Sequence, residues 1–152
     1  MEFLDYLDRT EVEIIRIVEK AGYTIEENTP LCLLSDDYVG FLDKRKKIII
    51  ICTNNSKKRE GYTFLRKNDK DSYRRIALNI KKALRHEAVH VAQECNNGNI
   101  LKIEKKFLMN SSKMKALNGS IKISGEEEKE RQAYILEDKP KLVEEKLKKY
   151  CL

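Results

Sequence analysis

Both histidines of the 152-residue chain lie in one short segment, His86-Glu87-Ala88-Val89-His90. Apolar residues recur at helical spacing from residue 72 to about residue 94, so the pattern predicts a long helix that carries this segment. Residues four apart lie one above the other on a helix, so His86 and His90 can bind the same metal ion. Glu87 stands next to the first histidine and can take a proton from a water molecule at that metal. The segment therefore predicts a Zn²⁺ site with Glu87 as a catalytic base.

A solvated helix with a fortuitous pair of histidines is the alternative interpretation of this spacing. The residues around the second histidine argue against it, because the two residues before His90 and the two after it are all Ala or Val. A catalytic zinc site also needs a third protein ligand and an open position for water. The chain has no third histidine, so we expect Asp, Glu or Cys to complete the site.

A second motif, Glu130-Arg131-Gln132-Ala133, lies on an acidic helix predicted over residues 126–137. His-Glu-x-x-His followed some tens of residues later by Glu-x-(Glu/Gln)-Ala resembles the gluzincin class of zinc metallopeptidases. In that class the first Glu of the second motif is the third zinc ligand, so the resemblance implies that Glu130 joins His86 and His90. Glu127 and Glu137 stay open as alternative ligands.

The chain departs from that class at Tyr134, where many members have an Asp or Asn that supports a ligand or the helix packing. The departure leaves open which group orients the histidines, a role that metal sites rarely omit. Gln93 lies on the same helical face as His86, where it can contact a ligand or substrate or cap local backbone. Tyr134, Arg131 and Tyr62 are candidates to stabilise an oxyanion, and the sequence does not choose among them.

A small β-sheet is expected before the motif helix. The β-rich runs 38–42 and 47–53 predict a hairpin, and the run Ile48–Ile51 is typical of a strand buried on both faces. In compact gluzincins an edge strand of such a sheet holds the substrate in an extended conformation. The remaining predicted elements are a helix over 9–21, a strand over 31–34, a basic loop over 54–72, a helix over 101–117 and a last helix from 138 to 150.

These elements predict one α+β domain spanning residues 1–152. The resemblance implies a zincin-like arrangement, with a small N-terminal sheet or hairpin packed on the catalytic helix. The second motif helix and a C-terminal helix would complete the domain.

Charge is unevenly distributed along the chain. Residues 1–43 carry 3 basic and 11 acidic side chains, whereas residues 44–123 carry 21 basic and 6 acidic ones. A basic middle region can attract nucleic acid or an acidic substrate through its summed field. The alternative is that the acidic N-terminal region folds over the basic region and neutralises much of it.

The four cysteines are widely spaced, and no two of them form a Cys-x-x-Cys pair. We therefore expect buried side chains or free thiols in a reducing compartment rather than a disulfide framework or a cysteine zinc site. The longest apolar run is too short to cross a bilayer, and the first residues do not resemble a signal peptide. The expected location is the cytoplasm, with no membrane association.

The sequence thus predicts a zinc-dependent metallopeptidase that acts on a peptide or protein substrate. Two alternatives are a zincin-fold protein that binds zinc without turnover and serves as an interaction module, and a basic protein that binds nucleic acid.

Overall fold

A computed structural model describes residues 1–59, 70–103, 113–118 and 126–152. The helices are α1 (Arg9–Lys20), α2 (Thr53–Arg59), α3 (Lys70–Cys95), α4 (Glu127–Leu136) and α5 (Pro140–Cys151). The strands are β1 (Thr24–Glu27), β2 (Gly40–Asp43) and β3 (Ile48–Ile51), and 3-10 helices span Glu2–Tyr6 and Pro30–Leu34. Residues 113–118 are also helical. The predicted α+β class is confirmed.

The three strands form one sheet in the order β1-β3-β2, with β1 parallel and β2 antiparallel to β3. The isoleucine run is the central strand, as its composition predicts. Ile49 and Ile51 belong to the main core, whereas Ile50 packs with Cys32 and Cys52 in a separate small cluster on the other face. The alternation of side chains along a strand therefore divides the isoleucines between two apolar environments.

Helix α3 is the central element of the domain and contacts α1, α4, α5 and β2. Its N-terminal half buries one stripe, in which Ile76, Ile80 and Leu84 are fully inaccessible. From Leu84 to Gln93 every residue is buried. The His-Glu-x-x-His segment is therefore enclosed on all sides, which excludes the solvated-helix interpretation.

The secondary structure differs from the sequence predictions at three places. The predicted strand over 31–34 is part of a 3-10 helix. The first strand is instead β1, which was not predicted because its sequence, Thr-Ile-Glu-Glu, is mostly polar. Residues 53–59, predicted mainly as loop, form α2. Of the predicted helix over 101–117, residues 101–103 are not helical and 113–117 are, and the part between lies outside the described residues.

The prediction of unpaired cysteines is wrong. Disulfides join Cys32 to Cys52 and Cys95 to Cys151, across sequence separations of 20 and 56 residues. The first pair links the 3-10 helix to the end of β3, and the second links the C-terminal ends of α3 and α5. Spacing along the chain could not indicate these pairs, because folding brings together cysteines that are distant in sequence.

Acidic residues of the N-terminal region pair with basic residues of the middle region, as the second interpretation of the charge pattern proposed. Asp8 lies 2.9 Å from Lys81, and Glu2 pairs with Lys57. The Arg85 guanidinium contacts the carboxylate of Glu11 at 3.1 Å, and both side chains are buried. These ion pairs neutralise part of the basic charge that suggested nucleic-acid binding.

Among the described residues, no helix is both long and apolar enough to cross a membrane.

Removing the disulfide between Cys95 and Cys151 by a double substitution to Ala should lower the free energy of unfolding by about 4 kcal/mol, because its closed loop is long. Removing the Cys32–Cys52 disulfide should cost about 3 kcal/mol, because its loop is shorter. Urea denaturation of each variant measures both losses. Thiol titration of unfolded, unreduced parent protein is the control, and finding four free thiols would show that the bridges do not form.

Candidate metal centre

Helices α3 and α4 bring the three predicted ligands together. Nε2 of His86 lies 3.2 Å from one carboxylate oxygen of Glu130, and Nε2 of His90 lies 3.0 Å from the other. The three possible ligand atoms lie within 4.8 Å of one another, and the Glu130 side chain is only 12% exposed. Two imidazoles and one carboxylate converge here as a site that could hold a metal ion.

The hydrogen bonding of His90 indicates that this group is incomplete as a protein-only cluster. Its Nε2 atom is buried and forms no hydrogen bond with the described residues, although a Glu130 oxygen is close by. A buried polar atom without a partner is costly, and native structures contain few of them. A cation between the imidazole nitrogens and the carboxylate would satisfy this atom, so the donor set fits a metal.

Glu137 is the residue that orients the His86 imidazole, a role that the sequence did not assign. One oxygen of the Glu137 carboxylate lies 3.0 Å from Nδ1 of His86, and the other pairs with Lys113 at 2.5 Å. The Arg85 guanidinium donates to the Glu137 backbone carbonyl at 2.5 Å, which ties the end of α4 to α3. Glu137 thus orients a predicted ligand through Nδ1, the ring nitrogen that does not face Glu130, and it is not part of the three-residue cluster.

Gln93 supports the second histidine. Its side-chain oxygen lies 2.8 Å from Nδ1 of His90, one helical turn away on α3. Of the two roles that the sequence left open for Gln93, the structure shows contact with a predicted ligand. Both histidines therefore use Nδ1 for a hydrogen bond within the protein and direct Nε2 toward Glu130, an arrangement common among metal-binding histidines.

The other candidates occupy different positions. Glu127 is exposed and pairs with Arg131 at 3.1 Å, so neither side chain joins the cluster. The ring of Tyr134 packs edge-on against the His86 imidazole, with centroids 4.5 Å apart. Tyr62, the remaining candidate for oxyanion stabilisation, lies outside the described residues. The second motif thus contributes one candidate ligand, Glu130.

Two of the predicted ligands, His86 and Glu130, have pKa values far from their usual ranges. Burial acts to lower the pKa of His86, but hydrogen bonds to Glu130 and Glu137 outweigh it and raise the pKa to about 10. Burial acts to raise the pKa of Glu130, but its close contacts with the His86 and His90 side chains bring the pKa well below its usual range. A metal at Nε2 of His86 must displace a proton that these carboxylates hold, so binding should weaken as pH falls.

Glu87 is buried beside the cluster and does not belong to it. Burial raises the pKa of Glu87, the two histidines oppose that rise, and the carboxylates of Glu130 and Glu137 add to it. A carboxylate with a raised pKa is a better proton acceptor near neutral pH than an ordinary one. Glu87 therefore has the burial and electrostatic surroundings of a general base.

Strand β2 runs past Glu87 at very short range, and Gly40 makes this approach possible. A Cβ atom at Gly40 would lie 3.1 Å from Cβ of Ala83 and 3.4 Å from Cγ of Glu87. A side chain at this position would therefore require its neighbours on α3 to shift by a few tenths of an ångström. The sheet order makes β2 an outer strand within the described part of the chain, and its Gly40 lies beside Glu87.

Comparison with known proteins places the chain in a family. A family model described as a domain of unknown function, DUF8637, matches residues 3–152. The chain belongs to the DUF8637 family. No curated protein matches the chain, and no solved structure matches it.

Substituting Glu130→Gln should weaken zinc binding, because it removes the negatively charged ligand from the cluster. The loss should exceed the roughly 10–100-fold that is typical when a residue hydrogen-bonded to a ligand is lost. Competition with a chromophoric chelator measures the affinity. Glu127→Gln is the matched control, since that carboxylate lies on the same helix but pairs with Arg131. Equal loss in both variants would show that Glu130 is not a ligand.

Proposed function

We propose that this DUF8637 protein is a zinc-dependent metallopeptidase. The observation that carries the proposal is the convergence of His86, His90 and Glu130 in one buried cluster, with Glu87 buried next to it. Neither motif alone would support the activity to the same degree. The second motif in particular is weak by itself, because most carboxylates of a Glu-rich helix are solvated and bind no metal. In the fold the two motifs meet in one cluster, which would be unexpected if each motif had arisen by chance.

The donor set favours zinc as the metal. Two imidazoles and one carboxylate form one of the ligand sets of catalytic zinc, which leaves a fourth position open. When bound, zinc would lower the pKa of a water molecule toward 7 and polarise the carbonyl of the substrate. His86, His90 and Glu130 would hold it, while Glu137 and Gln93 keep the two rings in orientation.

Glu87 would move the proton. Its carboxylate accepts a proton from the attacking water and then delivers it to the nitrogen of the leaving amine. The side chain is shielded from solvent, and its carboxylate sits in the field of both histidines. An intact carboxylate at this position argues against a protein that binds zinc without turnover, because such a protein needs no base.

The edge of β2 supports a peptide as the substrate. An extended chain can pair with the free edge of a sheet through backbone hydrogen bonds, which are independent of side-chain identity. Gly40 brings β2 next to Glu87, so a segment added to this strand would run close to the proposed base. The proposed substrate class is therefore an extended segment of a peptide or protein.

The compartment is linked to the cysteines. The expected location was the cytoplasm, where thiols stay reduced, and the disulfides Cys32–Cys52 and Cys95–Cys151 argue against it. Because disulfides persist in oxidising environments and are rare in the cytosol, we place the activity in an oxidising compartment.

Substituting Glu87→Gln should leave zinc binding intact and reduce cleavage of casein or a peptide library by about 10²–10⁴-fold, because the amide cannot accept the proton. Metal content and cleavage rate are measured on the same preparation. Glu94→Gln is the control on the same helix, since Glu94 pairs with Lys44 outside the cluster. Cleavage by Glu87→Gln at the parental rate would exclude Glu87 as the base.

Zinc binding without any cleavage by the parent protein would favour the interaction module, and no uptake of zinc would favour the nucleic-acid alternative.

A further inference from the structure

The support behind His90 extends beyond Gln93 to the backbone of a loop. We infer that Leu101, Gln132 and Gln93 form a hydrogen-bond relay that fixes His90 with its proton on Nδ1 and a free lone pair on Nε2. The relay makes Gln93 and Gln132 positioning residues for the metal ligand. This inference rests on the metal site of the proposed function, and it states what prepares that site before a metal binds.

The relay begins at a peptide group whose atoms have fixed roles. The Leu101 amide donates to Oε1 of Gln132 at 2.8 Å, and Nε2 of Gln132 donates to the Leu101 carbonyl at 2.8 Å. A backbone N–H only donates and a carbonyl only accepts. The two bonds therefore fix the orientation of the Gln132 amide, and rotating it by 180° would break both.

Gln93 is fixed by two acceptors at once. Its Nε2 group donates to the backbone carbonyl of Lys129 at 3.1 Å and to Oε1 of Gln132 at 3.0 Å. A flipped Gln93 amide would place its oxygen against both of those acceptors in a buried environment. Since such contacts cost free energy without solvent to relieve them, only one orientation of Gln93 fits.

The orientation of Gln93 decides the tautomer of His90. Its Oε1 atom faces Nδ1 of the ring at 2.8 Å and can only accept, so Nδ1 must carry the proton. In a neutral imidazole the other nitrogen is then the acceptor, and this is Nε2, which faces Glu130 and has no hydrogen bond within the described part of the chain. A free lone pair directed at the cluster is what a metal ion requires.

The fold delivers Leu101 to this position through the turn that ends α3. Asn97 and Gly98 have φ values of 58° and 77°, and the Gly98 amide bonds back to the Gln93 carbonyl at 2.9 Å. The chain reverses there, and Leu101 returns to a buried position against α4. Gln132 is the third residue of the second motif, so the relay connects both motifs to one loop.

The two histidines are supported at Nδ1 by different chemistry. Glu137 supports His86 with a carboxylate, which accepts a proton whichever way it is turned. An amide supports His90, and an amide can present either a donor or an acceptor. The relay is therefore needed on the His90 side only, because it alone ensures that the oxygen of Gln93 faces the ring.

The test compares Gln93→Met with Gln93→Glu. Methionine has a similar length and lacks the acceptor, whereas glutamate keeps an acceptor for Nδ1 and loses the donor to Lys129. Nitrogen-15 spectra of the metal-free proteins, at a pH where the His90 ring is neutral, report which ring nitrogen carries the proton. Zinc affinity is measured separately by competition with a chelator, and circular dichroism checks that each variant folds.

We expect the Nδ1–H form of His90 in the parent and in Gln93→Glu, and a mixture of tautomers in Gln93→Met with zinc affinity reduced about 10–100-fold. Gln132→Met should have a smaller effect, because the Lys129 carbonyl still orients Gln93. An Nε2–H form in the parent, or equal zinc affinity in parent and Gln93→Met, would overturn the relay. A parent protein with the expected tautomer and no affinity for zinc would instead refute the proposed function.

Discussion

The candidate site depends on the contact between α3 and α4, because this contact places one carboxylate against two imidazoles inside the fold. Glu130 lies within 3.2 Å of both His86 and His90, and none of the three side chains has much access to solvent. Burying ionisable groups is expensive unless each is paired. The surrounding structure reduces that cost through hydrogen bonds to the far side of each imidazole ring. Among the residues that the structure describes, Nε2 of His90 is the ligand atom of this cluster that has no hydrogen bond, and it is at the point where a metal would bind.

The supporting hydrogen bonds also explain why polar residues occupy the core of so small a protein. Arg85 is buried between Glu11 and the Glu137 carbonyl, so it joins α1, α3 and α4 with one side chain. Gln93 and Gln132 connect α3, α4 and the loop at Leu101. Each of these groups has a partner, which is the condition under which buried polar networks define one structure instead of weakening it.

Local and long-range features differed in how far the sequence could predict them. His86, Glu87 and His90 follow from helical geometry alone, and the central strand follows from its isoleucines. Glu130 depended on resemblance to a known class, because the meeting of two helices is not encoded by local spacing. The cysteine pairs were missed for the same reason, since 20 and 56 residues separate their members. The roles of Gln132 and Leu101 became visible only once the turn after α3 was known, although Gln132 lies within the second motif.

X-ray absorption at the zinc edge of the loaded parent protein tests the central claim most directly. We expect one zinc per chain, with four light-atom ligands that include two imidazole nitrogens and an oxygen at about 2.0–2.2 Å. Protein that takes up no zinc after dialysis would contradict it. A spectrum with sulfur ligands, or with a single imidazole, would contradict it equally.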